Sequence, residues 1–193
     1  MRLNLPNLLT WFRILMIPVM VSLFYLPATW LSAVDRNLFA CVIFTVAAIT
    51  DWLDGYLARR LNQASAFGAF LDPVADKLMV AAALIVLVEL GRVDAAIAVI
   101  IIGREIAISA LREWMAKIGD AKRVAVNLLG KVKTLAQLIA VPMLLYHDPV
   151  PLFDPHRVGT WLIYLAATLT LISMFYYLRL ASPGAGRRSA GPG

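Results

Sequence analysis

"LFACVIFTVAAITDWLDGYLARR", residues 38–60, ends a long apolar run with two carboxylates, Asp51 and Asp54, three residues apart. Along a helix, Asp54 lies about 7.5 Å and Asp51 about 12 Å before Arg59, at ~1.5 Å per residue. If the run crosses a membrane and Arg59 marks its edge, both acids sit below the lipid headgroups. The next apolar stretch opens with "FGAFLDPVADKLM" and brings Asp72 and Asp76. Spacings of three and four residues put each pair on one helical face. The short connection around "LNQAS" makes the two helices antiparallel neighbours, so the pairs can confront each other.

The whole chain supports the membrane reading. It has 193 residues, 61% hydrophobic and 16% charged, with a mean hydropathy of +0.78. A soluble domain of this size does not need so much apolar surface. A spanning helix needs ~20 largely apolar residues, and six stretches fit, at roughly 10–32, 37–60, 72–91, 94–116, 124–147 and 157–181. The expectation is an all-α membrane protein of six transmembrane helices with a short N-terminal interfacial segment. One domain covers 1–181, followed by a flexible polar tail, 182–193, rich in Gly, Pro and Ser. The first segment reads as an uncleaved helix rather than a signal peptide, because five spans follow it. Cys41 is the only cysteine, so no intramolecular disulfide forms.

The net charge of +6 does not point to nucleic acid. With six spans, Arg36, Arg92 and Arg157 fall on one face, and the other fifteen of the 18 Lys and Arg residues fall on the opposite one. Positive-inside reasoning places the crowded face, with both termini, in the cytoplasm. His147 and His156 flank "DPVPLFD" on the far side with no metal-spaced partner and read as loop residues. Trp11, Trp30, Trp52, Trp114 and Trp161 fall near span ends, as interfacial aromatics do.

Each aspartate embedded in a membrane costs ~2.5–3.5 kcal/mol, so four cost on the order of 10 kcal/mol unless compensated. Ion pairs with Arg59, Lys77 and Arg104 are one compensation. Four carboxylates are also the all-oxygen ligand set that hard cations such as Mg²⁺ or Mn²⁺ prefer, and Asp51, Asp54, Asp72 and Asp76 then stay ionised because they hold metal. Gly55 and Gly68 remove side chains beside these acids and leave room for a ligand at the backbone; either is equally a helix-packing contact.

The pattern D51-x2-D54-G55-x2-A58-R59-x8-G68-x3-D72-x3-D76 resembles the signature of the CDP-alcohol phosphatidyltransferase family at every fixed position and spacing. The resemblance extends to "NLPNLLTWFR", "GREIAISALREWMA" and "GKVKT", which resemble the branch of that family whose acceptor is glycerol-3-phosphate. It covers essentially all of the chain except the tail. What it implies is a two-metal site on the four aspartates, with CDP-diacylglycerol as donor, Asp76 as general base toward the acceptor hydroxyl, and Arg59 on the diphosphate. It also implies that Asn7 and Thr10 help to bind the cytidine diphosphate head, helix capping being the competing role, and that the enzyme is a homodimer in a bacterial-type inner membrane. Ser65 either donates to a phosphate or caps the following helix.

The second substrate needs its own anion site. Arg104 and Arg112 differ by about 80° around a helix and can serve one cleft, while Glu105 and Arg112 nearly eclipse, so Glu105 can orient Arg112. Lys131 and Lys133 differ by about 200°, so one points inward, and Lys131, beside Gly130, is the one assigned with Arg104 and Arg112 to glycerol-3-phosphate. Other acceptors (inositol phosphate, serine, a lipid) remain open to the same chemistry. A divalent-cation transporter would need polar residues continuing outward, and "LFACVIFTV" and "AAALIVLV" offer none.

Overall fold

The computed structural model describes residues 5–61, 66–117 and 128–181. Six helices account for nearly all of them: α1 (Leu5–Ser22), α2 (Ala33–Leu61), α3 (Ala66–Glu89), α4 (Ala95–Lys117), α5 (Leu128–Tyr146) and α6 (Pro155–Ala181). Among the described residues the only strand-like feature is a bridge between Val150 and Phe153. The expected all-α, six-helix architecture is what the chain forms. The short interfacial segment was expected ahead of residue 10, but α1 runs unbroken from Leu5 with Pro6 in its first turn, where a missing N–H costs nothing; residues 1–4 and the tail 182–193 lie outside the described part.

Two boundaries differ from the sequence expectation. The first apolar run was expected to continue to residue 32, yet α1 gives way to a 3-10 turn at Leu23–Tyr25, and Leu26 is extended (φ −67°, ψ 147°). Leu26 precedes Pro27, whose ring disfavours the helical conformation in the residue before it. Hydropathy does not register that stop. The third helix begins at Ala66 rather than near 72 and carries Pro73 in its interior. Sharper local signals fall where they should. Ser32 Oγ accepts from the Asp35 backbone N–H at 3.2 Å and starts α2. Asp154 accepts from the Arg157 N–H at 3.3 Å ahead of Pro155, the first residue of α6.

Three helices are long and apolar enough to cross a membrane on their own, over Leu8–Tyr25, Ala33–Asp51 and Pro155–Tyr177; Val132–Tyr146 is a shorter apolar helix. Side-chain placement carries the same message. Alanines 40, 83, 140 and 166 are fully buried, whereas Leu15, Ile85, Val99, Ile106 and Phe175 are each at least 60% exposed. Small residues inside and large aliphatic ones outside is the pattern of helices packed in lipid, where close backbone approach replaces the hydrophobic drive.

Among the described residues α5 and α6 make the most extensive helix pair, and α1 packs against both α2 and α3, which touch each other less. At the end holding the α1–α2 turn, α3 closes with Gly91 at φ +66°, the Gly91 N–H bonding Val88 O and the Arg92 N–H bonding Leu87 O. That turn aims Arg92 at the last turn of α5, where Nη1 donates to the Leu144 and Leu145 carbonyls at 3.1 and 2.8 Å. Its Nη2 donates to Asn37 Oδ1 at 2.7 Å, and Asn37 donates to Asp148 at 3.1 Å. This network ties α2, α5 and the α3–α4 turn together. Nearby, the His147 and His156 rings pack edge-on, 4.6 Å between centroids. Burial, then the charge of Arg92, holds the His147 imidazole below its ordinary pKa.

A Cβ added at Gly159 would lie 2.9 Å from Leu144 Cγ and 3.2 Å from the Ala140 carbonyl, across the α5–α6 seam. Gly159→Ala is therefore expected to destabilise the bundle by about 1–3 kcal/mol, by overpacking. Gly103→Ala on α4, where nothing lies within 4 Å, is expected to leave stability unchanged or raise it by about 1 kcal/mol. Denaturation in detergent micelles measures both.

Candidate active site

The start of α1, the end of α2 and the start of α3 meet at the other end of the bundle. Thr10 is fully buried and donates to Asp72 Oδ1. Arg13 is 1% exposed and its Nη1 donates to Asp51 Oδ1 in an ion pair. Thr10 and Arg13 are one helical turn apart on α1, so a single face of that helix meets an acid of α2 and an acid of α3. The residue spacing dictates this: positions i and i+3 share a face. A buried guanidinium survives only with an anion against it, and Asp51, whose side chain is 42% exposed, keeps its free edge toward the opening.

Asp76, one turn beyond Asp72, opens into a cavity of about 80 Å³ lined also by Phe44, Lys77, Val80, Glu105, Thr134, Gln137 and Leu138. A smaller recess continues from it past Ala47, Ala48 and Met79 to Arg13. Asp76 of α3 therefore borders both recesses, and the second reaches Arg13, the partner of Asp51.

The basic residues gather on its other side. Lys133 is 1% exposed and donates to Glu105 Oε1. Arg104, 6% exposed, lies 3.6 Å from the same oxygen and donates from Nη2 to Ser173 Oγ at 3.0 Å. The guanidinium carbons of Arg104 and Arg112 sit 5.9 and 5.7 Å from the centre of the Tyr177 ring. One buried aromatic ring thus sits against two cations, whose mutual repulsion a nearby anion would relieve.

Of the expected site residues, Thr10, Asp51, Gly68, Asp72, Asp76, Arg104 and Arg112 are placed at this end, with Gly68 buried in the first turn of α3. Asn7, Asp54, Gly55, Arg59 and Lys131 belong to described helices, but their side chains lie outside the described part, and Ser65 lies outside it altogether. The inward position on α5 is held by Lys133 rather than being left to Lys131. Glu105, expected to orient Arg112, is instead taken by Lys133 and Arg104. Arg13 and Tyr177 were not assigned to the site from the sequence. Their signals were present: Arg13 extends the three-residue rhythm of Asn7 and Thr10, and Thr170, Ser173 and Tyr177 form a polar stripe at helical spacing on apolar α6. All three of that stripe are at most 1% exposed.

The donor chemistry suits a hard divalent cation: anionic, all oxygen, and shared between two helices. Among the described residues no three acidic, His or Cys side chains already form a cage, and the fourth expected ligand, Asp54, is not among the described side chains.

Lipid-facing helices with acids of α2 and α3 and arginines of α4 gathered at one end are the arrangement of a membrane-embedded enzyme, and the comparisons identify its family. The CDP-alcohol phosphatidyltransferase model matches residues 3–172, and the chain belongs to that family. It is 50% identical over 183 residues to a protein of Shigella flexneri named CDP-diacylglycerol–glycerol-3-phosphate 3-phosphatidyltransferase, covering 94% of this chain and 96% of that one. The protein of the same name from Escherichia coli strain K12 is 49% identical over the same coverage.

If Arg13 and Asp51 are a true pair, a double-mutant cycle of Arg13→Met and Asp51→Asn yields a coupling free energy of about 1–2 kcal/mol, discounted for the exposure of Asp51. Additive effects in micellar unfolding would show the contact to be incidental.

Proposed function

We propose that this chain transfers the phosphatidyl group of CDP-diacylglycerol to glycerol-3-phosphate, giving phosphatidylglycerophosphate and CMP. The observation that carries the reading is the shared cavity: Asp76 borders the same space as Glu105, which holds Lys133 and Arg104. An acid able to take a proton and cations able to hold a phosphate therefore face each other across a gap sized for a small polyol end.

In this reading the six helices form a single domain over 1–181 that spans the membrane, with the cavity and both termini on the cytoplasmic side. The acyl chains of the donor stay in lipid. Asn7, Thr10, Gly55, Arg59, Ser65 and Gly68 receive its cytidine diphosphate head, the guanidinium of Arg59 matching phosphate oxygens in a fork. Arg104 and Arg112 hold the phosphate of the acceptor, and Lys133, in the inward place first given to Lys131, fixes Glu105 at the rim. Asp51, Asp54, Asp72 and Asp76 would hold two divalent ions, Mg²⁺ or Mn²⁺. When bound, such ions supply neutralisation of the diphosphate and of the departing CMP.

Asp76 accepts the proton of the acceptor hydroxyl. The hydroxyl oxygen forms its bond to the phosphorus that bears diacylglycerol, the bond from that phosphorus to the bridging oxygen breaks, and CMP leaves with the electron pair. Holding two anionic substrates together costs repulsion that Arg59, Arg104 and Arg112 offset, and their fixed geometry contributes proximity.

Purified protein mixed with both substrates should release CMP in the presence of Mg²⁺ or Mn²⁺ and stop when the metal is chelated. Asp76→Asn should lower kcat by about 10²–10⁴-fold without unfolding the protein, the range of a lost general base. Turnover with serine or inositol phosphate in place of glycerol-3-phosphate would reassign the acceptor.

A further inference from the structure

We infer that Gln137 reads the non-reacting hydroxyl of the acceptor and so determines which alcohols the site accepts, an inference that rests on the acceptor being glycerol-3-phosphate. Gln137 lies on α5, one turn beyond Lys133, and is 6% exposed. Its Oε1 is buried and has no hydrogen-bond partner. An apolar residue of the same shape would avoid the cost of desolvating that oxygen, so its presence calls for a ligand group that satisfies it.

The surroundings say which group. Gln137 borders the cavity of Asp76, Glu105 and Thr134, whose remaining wall is Lys77 and the apolar Phe44, Val80 and Leu138. A neutral amide does not hold a phosphate against competition from Arg104 and Arg112 next door. Nor do the nearest cations reach for it: Lys133 is committed to Glu105, and Lys77, in the same wall, makes no hydrogen bond to Oε1. Thr134 donates to the Gly130 carbonyl at 2.8 Å, so its hydroxyl is not the missing donor. What fits is a small hydroxyl standing one carbon away from the hydroxyl that Asp76 deprotonates. Turned about its terminal bond, the amide would present Nε2 in place of Oε1, and a hydroxyl, being donor and acceptor at once, satisfies either.

The acceptor is thereby gripped at three points. Its phosphate lies on the arginines, its terminal hydroxyl on Asp76 and its middle hydroxyl on Gln137. Losing the third point leaves a buried amide unpaired, which is how a polar site rejects an analogue that merely lacks a hydroxyl.

The test compares glycerol-3-phosphate with 3-hydroxypropyl phosphate, which lacks only the middle hydroxyl. CMP release is measured with the purified full chain, CDP-diacylglycerol and Mg²⁺. The wild type should prefer glycerol-3-phosphate by about ten- to a hundredfold in kcat/KM. Gln137→Leu should shrink that ratio to within about threefold, chiefly by losing activity toward glycerol-3-phosphate. Gln137→Glu, which keeps an accepting oxygen, should retain part of the preference, and Gln137→Met replaces the leucine variant if that one does not fold. A ratio that survives Gln137→Leu, with both activities falling together, overturns the inference and leaves the transferase reading intact. A wild type that uses neither acceptor while releasing CMP with another alcohol overturns both.

Discussion

A guanidinium buried in a helix that lipid surrounds can rest only against an anion from the same bundle, and Arg13 rests against Asp51. Much of the inner end follows from that requirement. Satisfying it draws the start of α1 onto the end of α2, and the Thr10–Asp72 bond one turn away draws it onto the start of α3. Among the described residues α1 touches both helices more than they touch each other, so it acts as the clamp that brings an acid of each against one helical face. The same demand repeats deeper in, where Lys133 and Arg104 converge on Glu105. Each charge is tied by another helix, and the site is built from the pairs.

The two ends of the bundle use charge differently. At the far end Arg92 is spent on the α5 carbonyls and on Asn37. At the inner end Asp51 keeps an exposed edge, Asp76 faces a cavity, and Gln137 keeps a buried oxygen in reserve. The apolar interior between them, lined by buried alanines and by Phe44, Leu84, Leu87 and Leu144, offers an ion no continuous polar path, which agrees with a site worked from one face.

Helix number, the acidic set and the arginines of α4 were legible in the sequence because lipid makes every embedded charge conspicuous. Residue spacing let Arg104 and Arg112 serve one cleft, and both guanidinium groups lie against Tyr177. What was not legible depends on which way a helix is turned. The spacing of Lys131 and Lys133 requires that one face inward but does not choose; the choice falls to Lys133, which meets the Glu105 carboxylate. Glu105 was matched to Arg112 along its own helix, and a partner from α5 claimed it instead, since an interhelical contact is invisible to a one-helix wheel. The end of α1 was missed for a local reason: hydropathy continues through Leu26 while backbone sterics at Pro27 do not.

The acids that α1 holds at the inner end are proposed to form a cation site. Titration of purified protein with Mn²⁺, with free ion followed by electron paramagnetic resonance, decides it. Saturable uptake of about two ions per chain, sharply reduced in a folded Asp51→Asn/Asp72→Asn variant, is what the account requires. Equal uptake by the variant and the wild type would contradict it.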